Sequence, residues 1–318
     1  MIKKILYPYY LAYKETKRNL AQQKNPAFAI ARTEAAIIKL LHAIEKGLCL
    51  EKPRLGFGIP KIQELFSLTE RYIALKAEDT FCLYMVRDAV SAYLKFHKEN
   101  GFSNADILDI QNKLEKLKTQ LKDDNDTYGG FLTLNRQDLD FSVEDIEKCF
   151  KTRHSVREFT GEKVSPEEIE KAIALAQLCP SACNRQCARV YSVSRQKFLE
   201  DMDTDLQGIG GFAEDADRFL LVTAKQSAYG ISERNQYIVS AGIFAGYLAL
   251  TLHAYHIAAC TVQRSVTYDL RWDNFRRLNH IPEDEQIVVM FAIGKYKEST
   301  KVPVSKRFLT EKMYKTLD

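Results

Sequence analysis

The spacing of apolar residues changes once along this chain of 318 residues, and that change constrains the fold more than any other feature. Up to about residue 125, apolar residues recur at helical spacing, as at Ile37, Leu41, Ile44 and Leu48. After residue 140, helix signals alternate with short β-rich runs. The sequence therefore predicts an all-α N-terminal region followed by an α+β region, in which a mixed sheet is flanked by helices.

A polar and glycine-rich stretch separates the two patterns. Asp123–Asp126 and Gly129-Gly130 have the composition of a linker. Because a chain of this length is expected to form about two domains, we predict a helical domain over residues 1–130 and a second domain over residues 131–318.

The second region begins with two capped helices. Ser142 is followed at the third position by Asp145, and Ser165-Pro166-Glu167-Glu168 combines an N-cap serine, a first-turn proline and a glutamate at the third position. Strands are predicted at Val190–Val193, Phe219–Thr223, Cys260–Val262 and Ile287–Ile293. A long helix, Glu233–His256, lies between the second and third of them, so we expect helices on both faces of the sheet.

Charge and cysteine content exclude several classes of protein. The formal net charge of +4 gives no reason to expect nucleic-acid binding. Seven cysteines, an odd number, are too few for a disulfide scaffold, so we expect reduced thiols and a cytoplasmic protein. No signal peptide is recognisable. The longest apolar stretch, Val239–Leu252, is interrupted by small and polar residues, so we expect no membrane segment.

No common catalytic string or metal motif is present. The sequence lacks GxxxxGKS/T, HExxH, GxSxG and paired CxxC motifs. Cys179, Cys183 and Cys187 are spaced by four, but Pro180 interrupts a helix that would align them. We therefore expect no metal site.

Two clusters about thirty residues apart could bind a ligand. Arg153, His154, Ser155 and Arg157 concentrate positive charge and hydrogen-bond donors, which suits a phosphate group, although a solvated basic turn would have the same composition. The Pro180–Gln186 loop then presents amide side chains, which can donate to and accept from the edge of a heterocycle.

Taken together, these clusters resemble the FMN-dependent nitroreductase family, whose pattern is R-x-S-x-R/K, a capped helix and P-S-x-x-N-x-Q. The matching residues are Arg153, Ser155, Arg157, Pro180, Ser181, Asn184 and Gln186. The helix Asn235–His256, the strand Ala258–Gln263 and the basic tail at Lys306-Arg307 also look like the family. The resemblance extends over approximately residues 145–318.

The resemblance implies FMN as cofactor, NADH or NADPH as hydride donor, a small-molecule acceptor and a homodimer. It implies that Arg153 and Ser155 hold the FMN phosphate and ribityl chain, with His154 as a further cofactor-binding residue. Arg307, with Lys306 as a second candidate, would complete the phosphate clamp. Arg157 would lie at the pyrimidine edge of the flavin, and a backbone N–H of Thr261, Val262 or Gln263 would point at N5. The remaining implied cofactor residues belong to the loop, part of which would line the partner subunit's site: Pro180, Ser181, Ala182, Asn184 and Gln186. No side chain is expected to act as a nucleophile, because the flavin carries the chemistry.

One position departs from the family pattern. Many members continue N-x-Q with Pro-Trp, whereas this chain has Cys187-Ala188. The departure leaves open a non-catalytic dimer scaffold whose helical region binds a partner, beside the first hypothesis of an oxidoreductase.

Three further segments could contact substrate or could be purely structural. The structural alternatives are a turn, a helix cap and an ion pair at a helix exit. The residues concerned are Gln207, Gly210, Gly211 and Phe212; Arg234, Asn235 and Tyr237; and His42, Glu45, Lys46, Pro53, Arg54, Gly56, Phe57 and Gly58.

Overall fold

The computed structural model describes residues 2–202, 208–263 and 270–317. Its N-terminal region is helical, as the apolar spacing predicts. The helices are α1 (Ile2–Lys24), α2 (Ala29–Leu48), α3 (Ile59–Ala74), α4 (Phe81–Glu99) and α5 (Ala105–Lys118).

Helices α2 to α5 share one hydrophobic core. All four apolar residues of the stripe predicted on α2 are buried: Ile37, Leu41, Ile44 and Leu48. They pack against buried residues of the other three helices, such as Leu65, Val86 and Ile110. This core lies entirely within the helical region.

The polar stretch after α5 is bound to α4. The Arg87 guanidinium pairs with Asp88 and donates to the backbone carbonyls of Asp124 (3.2 Å) and Asp126 (3.1 Å). The backbone N–H of Tyr128 donates to the Asp88 carboxylate at 2.7 Å, and its hydroxyl donates to the Asp124 carboxylate at 2.6 Å. The segment with linker composition is therefore an ordered connection, and the division into two domains at this point stays a prediction.

The C-terminal region is α+β, as predicted. Its helices are α6 (Val143–Thr152), α7 (Pro166–Ala176), α8 (Arg195–Asp201), α9 (Gln236–Ala254) and α10 (Leu270–Leu278), and its strands are β1 (Ala188–Ser194), β2 (Arg218–Lys225), β3 (Ile257–Val262) and β4 (Glu285–Lys295). Both predicted caps form, since Ser142 and Ser165 accept from the backbone N–H groups of Asp145 and Glu168.

The strand order is β1-β2-β4-β3, and each of the three pairings among the described strands is antiparallel. This corrects the expected mixed sheet. Helix α9 carries the chain from β2 to β3, which therefore run in the same direction, but β4 lies between them and pairs antiparallel with both.

Helices cover both faces of the sheet, as the alternation along the strands requires. One face carries Leu220, Val222 and Phe291 against α7 and α9. The other carries Phe219, Leu221 and Met290 with residues of α8 and α10, among them Phe198 and Phe275.

Helix α9 is the central helix of the first face. It is the one helix among the described residues that is long and apolar enough to cross a membrane by length and composition, whereas the interruptions in its apolar stretch predicted no membrane segment. Eight of its residues are buried: Tyr237, Ser240, Ala241, Phe244, Ala245, Leu248, Thr251 and Leu252. Its opposite face exposes Val239, Ile243 and Tyr247.

The first two helices also pack on the sheet region. The side chains of Arg18 and Gln22 each donate to the Glu283 carbonyl at 2.7 Å, and Gln23 donates to the Tyr229 carbonyl at 2.5 Å. Ala35 of α2 belongs to the core on the α9 face of the sheet. Helix α2 therefore contributes to two hydrophobic cores along its length.

Candidate functional site

The cationic segment leaves the end of α6 and runs beside β3. Arg153 is the C-cap of α6, and its backbone N–H donates to the Cys149 carbonyl at 3.0 Å. Val156 is buried, and its N–H donates to the carbonyl of Ala259 in β3 at 3.0 Å. This bond fixes the segment against the free edge of β3.

Ser155 and Arg157 lie close to the thiol of Cys260 on β3. Burial raises the pKa of Cys260, while the positive charge of Arg157 and a hydrogen bond from Ser155 act to lower it. The Arg157 guanidinium carbon is 5.9 Å from the centroid of the Phe212 ring, and the side chain remains exposed. The structure thus brings the start of the predicted site together with β3.

The surroundings of this segment carry excess positive charge. Burial lowers the pKa of His253 at the end of α9, and Arg153, His256 and His154 lower it further. None of the ion pairs within residues 2–202, 208–263 and 270–317 involves Arg153 or Arg157. Two guanidinium groups, an imidazole and a hydroxyl without a carboxylate partner are donors suited to an anion. The residues present therefore fit a phosphate group.

The last residues of β3 follow directly after Cys260, which lies near Ser155 and Arg157. Thr261 is half-buried, Val262 is buried, and Gln263 follows the strand and is exposed. A side chain at Gly208 would lie 3.4 Å from Val262, so the glycine-rich loop lies against the end of β3.

The Pro180–Gln186 loop is compact and lies near the beginning of α9. Ser181 accepts from the N–H of Asn184 through its carbonyl (2.9 Å) and from the N–H of Gln186 through its hydroxyl (3.0 Å). The N–H of Ala182 donates to the hydroxyl of Ser240 in α9 at 3.3 Å. Asn184 and Gln186 both have positive φ angles, 54° and 46°, so the loop follows a tight path that few residue types adopt without strain.

A buried arginine in this loop, which the sequence did not single out, holds it in place. Arg185 is 6% exposed and forms a two-bond ion pair with Glu233, with N–O distances of 2.6 and 2.9 Å. It also donates to the carbonyls of Ala182 and Ala228, and its guanidinium carbon lies 3.9 Å from the centroid of the Tyr229 ring. The hydrogen bond from Arg185 lowers the pKa of Glu233 to about 2. No local signal could have found this pair, because its members are 48 residues apart.

The two predicted halves of the site lie at opposite ends of α9. The loop contacts Ser240, whereas the cationic segment lies near His253. These positions are thirteen residues apart, or about 20 Å along the helix axis. Within one chain, the structure does not bring the loop to Arg153 and Ser155.

The basic tail is also apart from the cationic segment. Lys306 and Arg307 are exposed, and Arg307 donates to the carbonyl of Ser305, its close neighbour in the chain, at 2.5 Å. No hydrogen bond or ion pair within the described residues joins either side chain to Arg153. Their predicted role as a phosphate clamp stays a prediction.

Some of the further candidates for substrate contact are buried in the fold, and others are exposed. Phe212 is buried in the core on the α8 and α10 face, and Tyr237, in the first turn of α9, is buried in the core on the other face of the sheet. Asn235 is the N-cap of α9 with a φ of 65°, and Gly210 and Gly211 are exposed. Gln207 lies outside the described residues.

The turn around Gly56 is held by hydrogen bonds, and none of the ion pairs among the described residues involves His42, Glu45, Lys46 or Arg54. The N–H of Gly56 donates to Nε2 of the buried His97 at 2.9 Å, and the hydroxyl of Tyr93 donates to the Phe57 carbonyl at 2.6 Å. Glu45 accepts from the N–H of Gly130 at 3.1 Å. These bonds give the turn a structural role within the helical core.

The cysteines and histidines show no arrangement for a metal. All seven cysteines are free, and no group of three or more possible ligands is clustered in the part of the chain that the structure describes. Cys187, the residue after the Pro180–Gln186 loop, is buried beside Tyr229 and Tyr237.

Comparison with known proteins agrees with the resemblance seen in the sequence. The model of the nitroreductase family matches residues 150–209, a segment that contains both the cationic cluster and the Pro180–Gln186 loop. No curated protein matches the chain.

Solved structures with a similar fold include three bacterial proteins. An FMN-dependent nitroreductase from Clostridium difficile is 21% identical (49% of this chain, 91% of that chain, TM-score 0.42). A nitroreductase family protein from Streptococcus pneumoniae is 18% identical (54% and 100%, TM-score 0.46). A nitroreductase-like protein from Streptococcus mutans is 17% identical (56% and 100%, TM-score 0.47). The match to the family model shows that residues 150–209 of this chain resemble the nitroreductase family.

Proposed function

We propose that this protein is a flavin-dependent oxidoreductase that binds FMN. The observation that carries the proposal is the segment from Arg153 to Arg157, which is fixed to β3 through Val156 and has cationic side chains without ion-pair partners among the described residues. This segment lies within the match to the nitroreductase family model. A nucleotide phosphate is the anion that this donor set and this family resemblance together favour.

The site residues have distinct roles in the proposal. Arg153, His154 and Ser155 hold the phosphate and ribityl region, and Arg157 supplies positive charge near the ring system. The end of β3, Thr261 to Gln263, offers backbone N–H groups to the ring. FMN, when bound, supplies the ring that accepts a hydride and passes it on. NADH or NADPH would be the donor, and a small organic molecule such as a nitroaromatic, a quinone or an enone would be the acceptor.

A second copy of the chain would complete the site. The Pro180–Gln186 loop lies about 20 Å along α9 from the cationic segment, and a homodimer could bring the loop of one copy to the cationic segment of the other. The exposed apolar face of α9, with Val239, Ile243 and Tyr247, supports this arrangement. A Cβ atom added at Gly242 or Gly246 would meet no atom within 4 Å, so that face is open to a closely packed helix. In the homodimer, Lys306 and Arg307 of the basic tail would contact the FMN phosphate.

A cytoplasmic location is part of the same proposal, because all seven cysteines are free.

One observation favours a second candidate, a non-catalytic scaffold. Cys187 is buried and Ala188 begins β1, so neither supplies the aromatic wall that Pro-Trp would give at this place. In that case FMN would be a structural ligand, and the helical region with its separate core would bind a partner.

The visible absorption spectrum of the purified protein tests both candidates. We expect a flavin spectrum that bleaches when NADH or NADPH is added without oxygen. A flavin spectrum that never bleaches would favour the scaffold. A colourless protein that does not take up added FMN would contradict the proposed site as a whole.

A further inference from the structure

His253 connects the ends of three secondary-structure elements. It lies in the last turn of α9 and is half-buried. Its Nε2 is 2.8 Å from the hydroxyl of Thr152, the last residue of α6, and its Nδ1 is 2.9 Å from the hydroxyl of Tyr296, which follows β4. Both ring nitrogens are therefore used in contacts between elements.

The hydroxyl of Thr152 determines the direction of these hydrogen bonds. Thr152 donates its single proton to the Lys148 carbonyl at 2.7 Å. Its oxygen must then accept at His253, so Nε2 carries the hydrogen. In the neutral imidazole Nδ1 is an acceptor, and the hydroxyl of Tyr296 donates to it.

The charges around the ring favour this neutral form. Burial lowers the pKa of His253, and Arg153, His256 and His154 lower it further. Burial also raises the pKa of Tyr296, so its phenol keeps the proton that it donates. The bonds from Tyr296 to His253, from His253 to Thr152 and from Thr152 to Lys148 therefore all run in one direction.

This chain of hydrogen bonds passes through Thr152, the residue before Arg153. Arg153 has an extended backbone (φ −69°, ψ 113°), so the polypeptide leaves α6 there. Three residues later the bond from Val156 to Ala259 fixes the segment to β3. His253 thus fixes one end of the cationic segment and Val156 fixes the next point along it.

We propose that His253 is a positioning residue for the phosphate site: by joining Thr152 to Tyr296, it holds the start of the cationic segment so that Arg153 can bind the FMN phosphate. This inference rests on the proposed function. His253 does not itself have to touch the ligand, because both of its nitrogens are bonded to protein groups.

Flavin titrations of the full-length apoprotein test the proposal. The variants are His253→Leu, which removes both bonds, and His253→Gln, whose amide nitrogen can still donate toward Thr152. His256→Asn is the matched control, since His256 lies three residues further on, is exposed, and has a positive φ of 56° that asparagine tolerates. Each protein is titrated with FMN and with riboflavin, which lacks the phosphate, and its thermal midpoint is recorded.

We expect His253→Leu to weaken FMN binding by roughly five- to tenfold, the effect of about one lost hydrogen bond. His253→Gln should recover most of that loss, and His256→Asn should bind FMN within about twofold of the wild type. Riboflavin affinity should stay unchanged in all three variants, because the effect passes through Arg153 to the phosphate. In an Arg153→Ala background, His253→Leu should have little further effect on FMN binding.

Two results would overturn the inference while leaving the proposed function intact. One is unchanged FMN affinity in His253→Leu, and the other is an equal loss for FMN and riboflavin, which would indicate general damage to the fold. A wild-type protein that binds neither flavin would instead overturn the proposed function, and this inference with it.

Discussion

The arginines at the two ends of α9 differ in what they leave for a ligand. Arg185, near the beginning of the helix, is 6% exposed and is fully engaged by Glu233, two carbonyls and the Tyr229 ring. Arg153 and Arg157, near the end of the helix, form none of the ion pairs among the described residues and lie at the surface. An arginine within a family motif therefore indicates a ligand site only when its partners in the fold are known. The first of these arginines holds the fold, and the others are available to bind an anion.

The largest effect should come from removing the engaged arginine. Arg185→Met leaves the carboxylate of Glu233 without its ion-pair partner and the Ala228 carbonyl without its donor, so the free energy of unfolding should fall by about 3–5 kcal/mol. Urea denaturation measures it. Arg153→Met is the control and should change stability by less than about 0.5 kcal/mol. An equal loss of unfolding free energy in both variants would mean that Arg153 supports the fold as much as Arg185 does.

The reverse effect should appear in flavin binding. Arg153→Ala should weaken FMN binding by about 1.5–3 kcal/mol, the value of a charge-assisted hydrogen bond, measured by fluorescence titration. Lys151→Ala is the matched control, because Lys151 is an exposed cation two residues away that pairs with Glu147. A comparable loss in the control would mean that general positive charge, and not Arg153, attracts the ligand.

A substitution in the middle of α9 tests whether a second copy of the chain packs against this helix. Gly242→Ala should favour the helix by up to about 1 kcal/mol in the monomer, because the added methyl group meets no atom within 4 Å. If this face packs against a second chain, the same methyl group should weaken dimerisation, as measured by sedimentation equilibrium. Gly210→Ala, an equally open position in a loop, should leave the association unchanged. A dimer that tolerates Gly242→Ala as well as Gly210→Ala would place the interface elsewhere.

The last prediction concerns acid stability, and its effect is spread over a range of pH. Arg185 lowers the pKa of Glu233 from 4.5 to about 2, so the folded state holds this carboxylate ionised at a pH where the unfolded chain is protonated. The resulting stability is fully present above about pH 4.5 and is lost as the pH falls toward 2. In Glu233→Gln, the slope of unfolding free energy against pH should decrease between pH 4.5 and 2, by at most about 1.4 kcal/mol per pH unit. An unchanged slope would mean that the pair does not hold in solution.

Local signals predicted the elements of this fold well. The capping boxes, the spacing of apolar residues and the β-rich runs all correspond to observed helices and strands, with ends displaced by a few residues. Helical spacing is a weaker guide to burial near helix ends, since Ile73, near the end of α3, and Phe81, the first residue of α4, are 37% and 46% exposed. Near helix ends the neighbouring elements diverge, so periodicity alone no longer indicates what covers a side chain.

Contacts between residues far apart in the chain could not be predicted from the sequence. Nothing local indicates that β4 inserts between β2 and β3, or that His97 holds the turn at Gly56 across 41 residues. The cationic segment and the end of β3 could be predicted as neighbours only through the family resemblance, and the bond from Val156 to Ala259 now gives a physical reason for it. The position of the Pro180–Gln186 loop at the other end of α9 followed from no local pattern.

The double role of α2 bears on how the chain responds to a protease. A cut in the exposed stretch at residues 123–126 would divide the polypeptide where its composition changes. The two fragments would nevertheless stay associated, because α1 and α2, on the first fragment, are packed and hydrogen-bonded against the second at Ala35, Gln22 and Gln23. The covalent boundary and the physical boundary of this protein therefore do not coincide. Separate expression of residues 131–318 would expose the apolar surface that α2 covers, whereas co-expression of both fragments should reconstitute the complete fold.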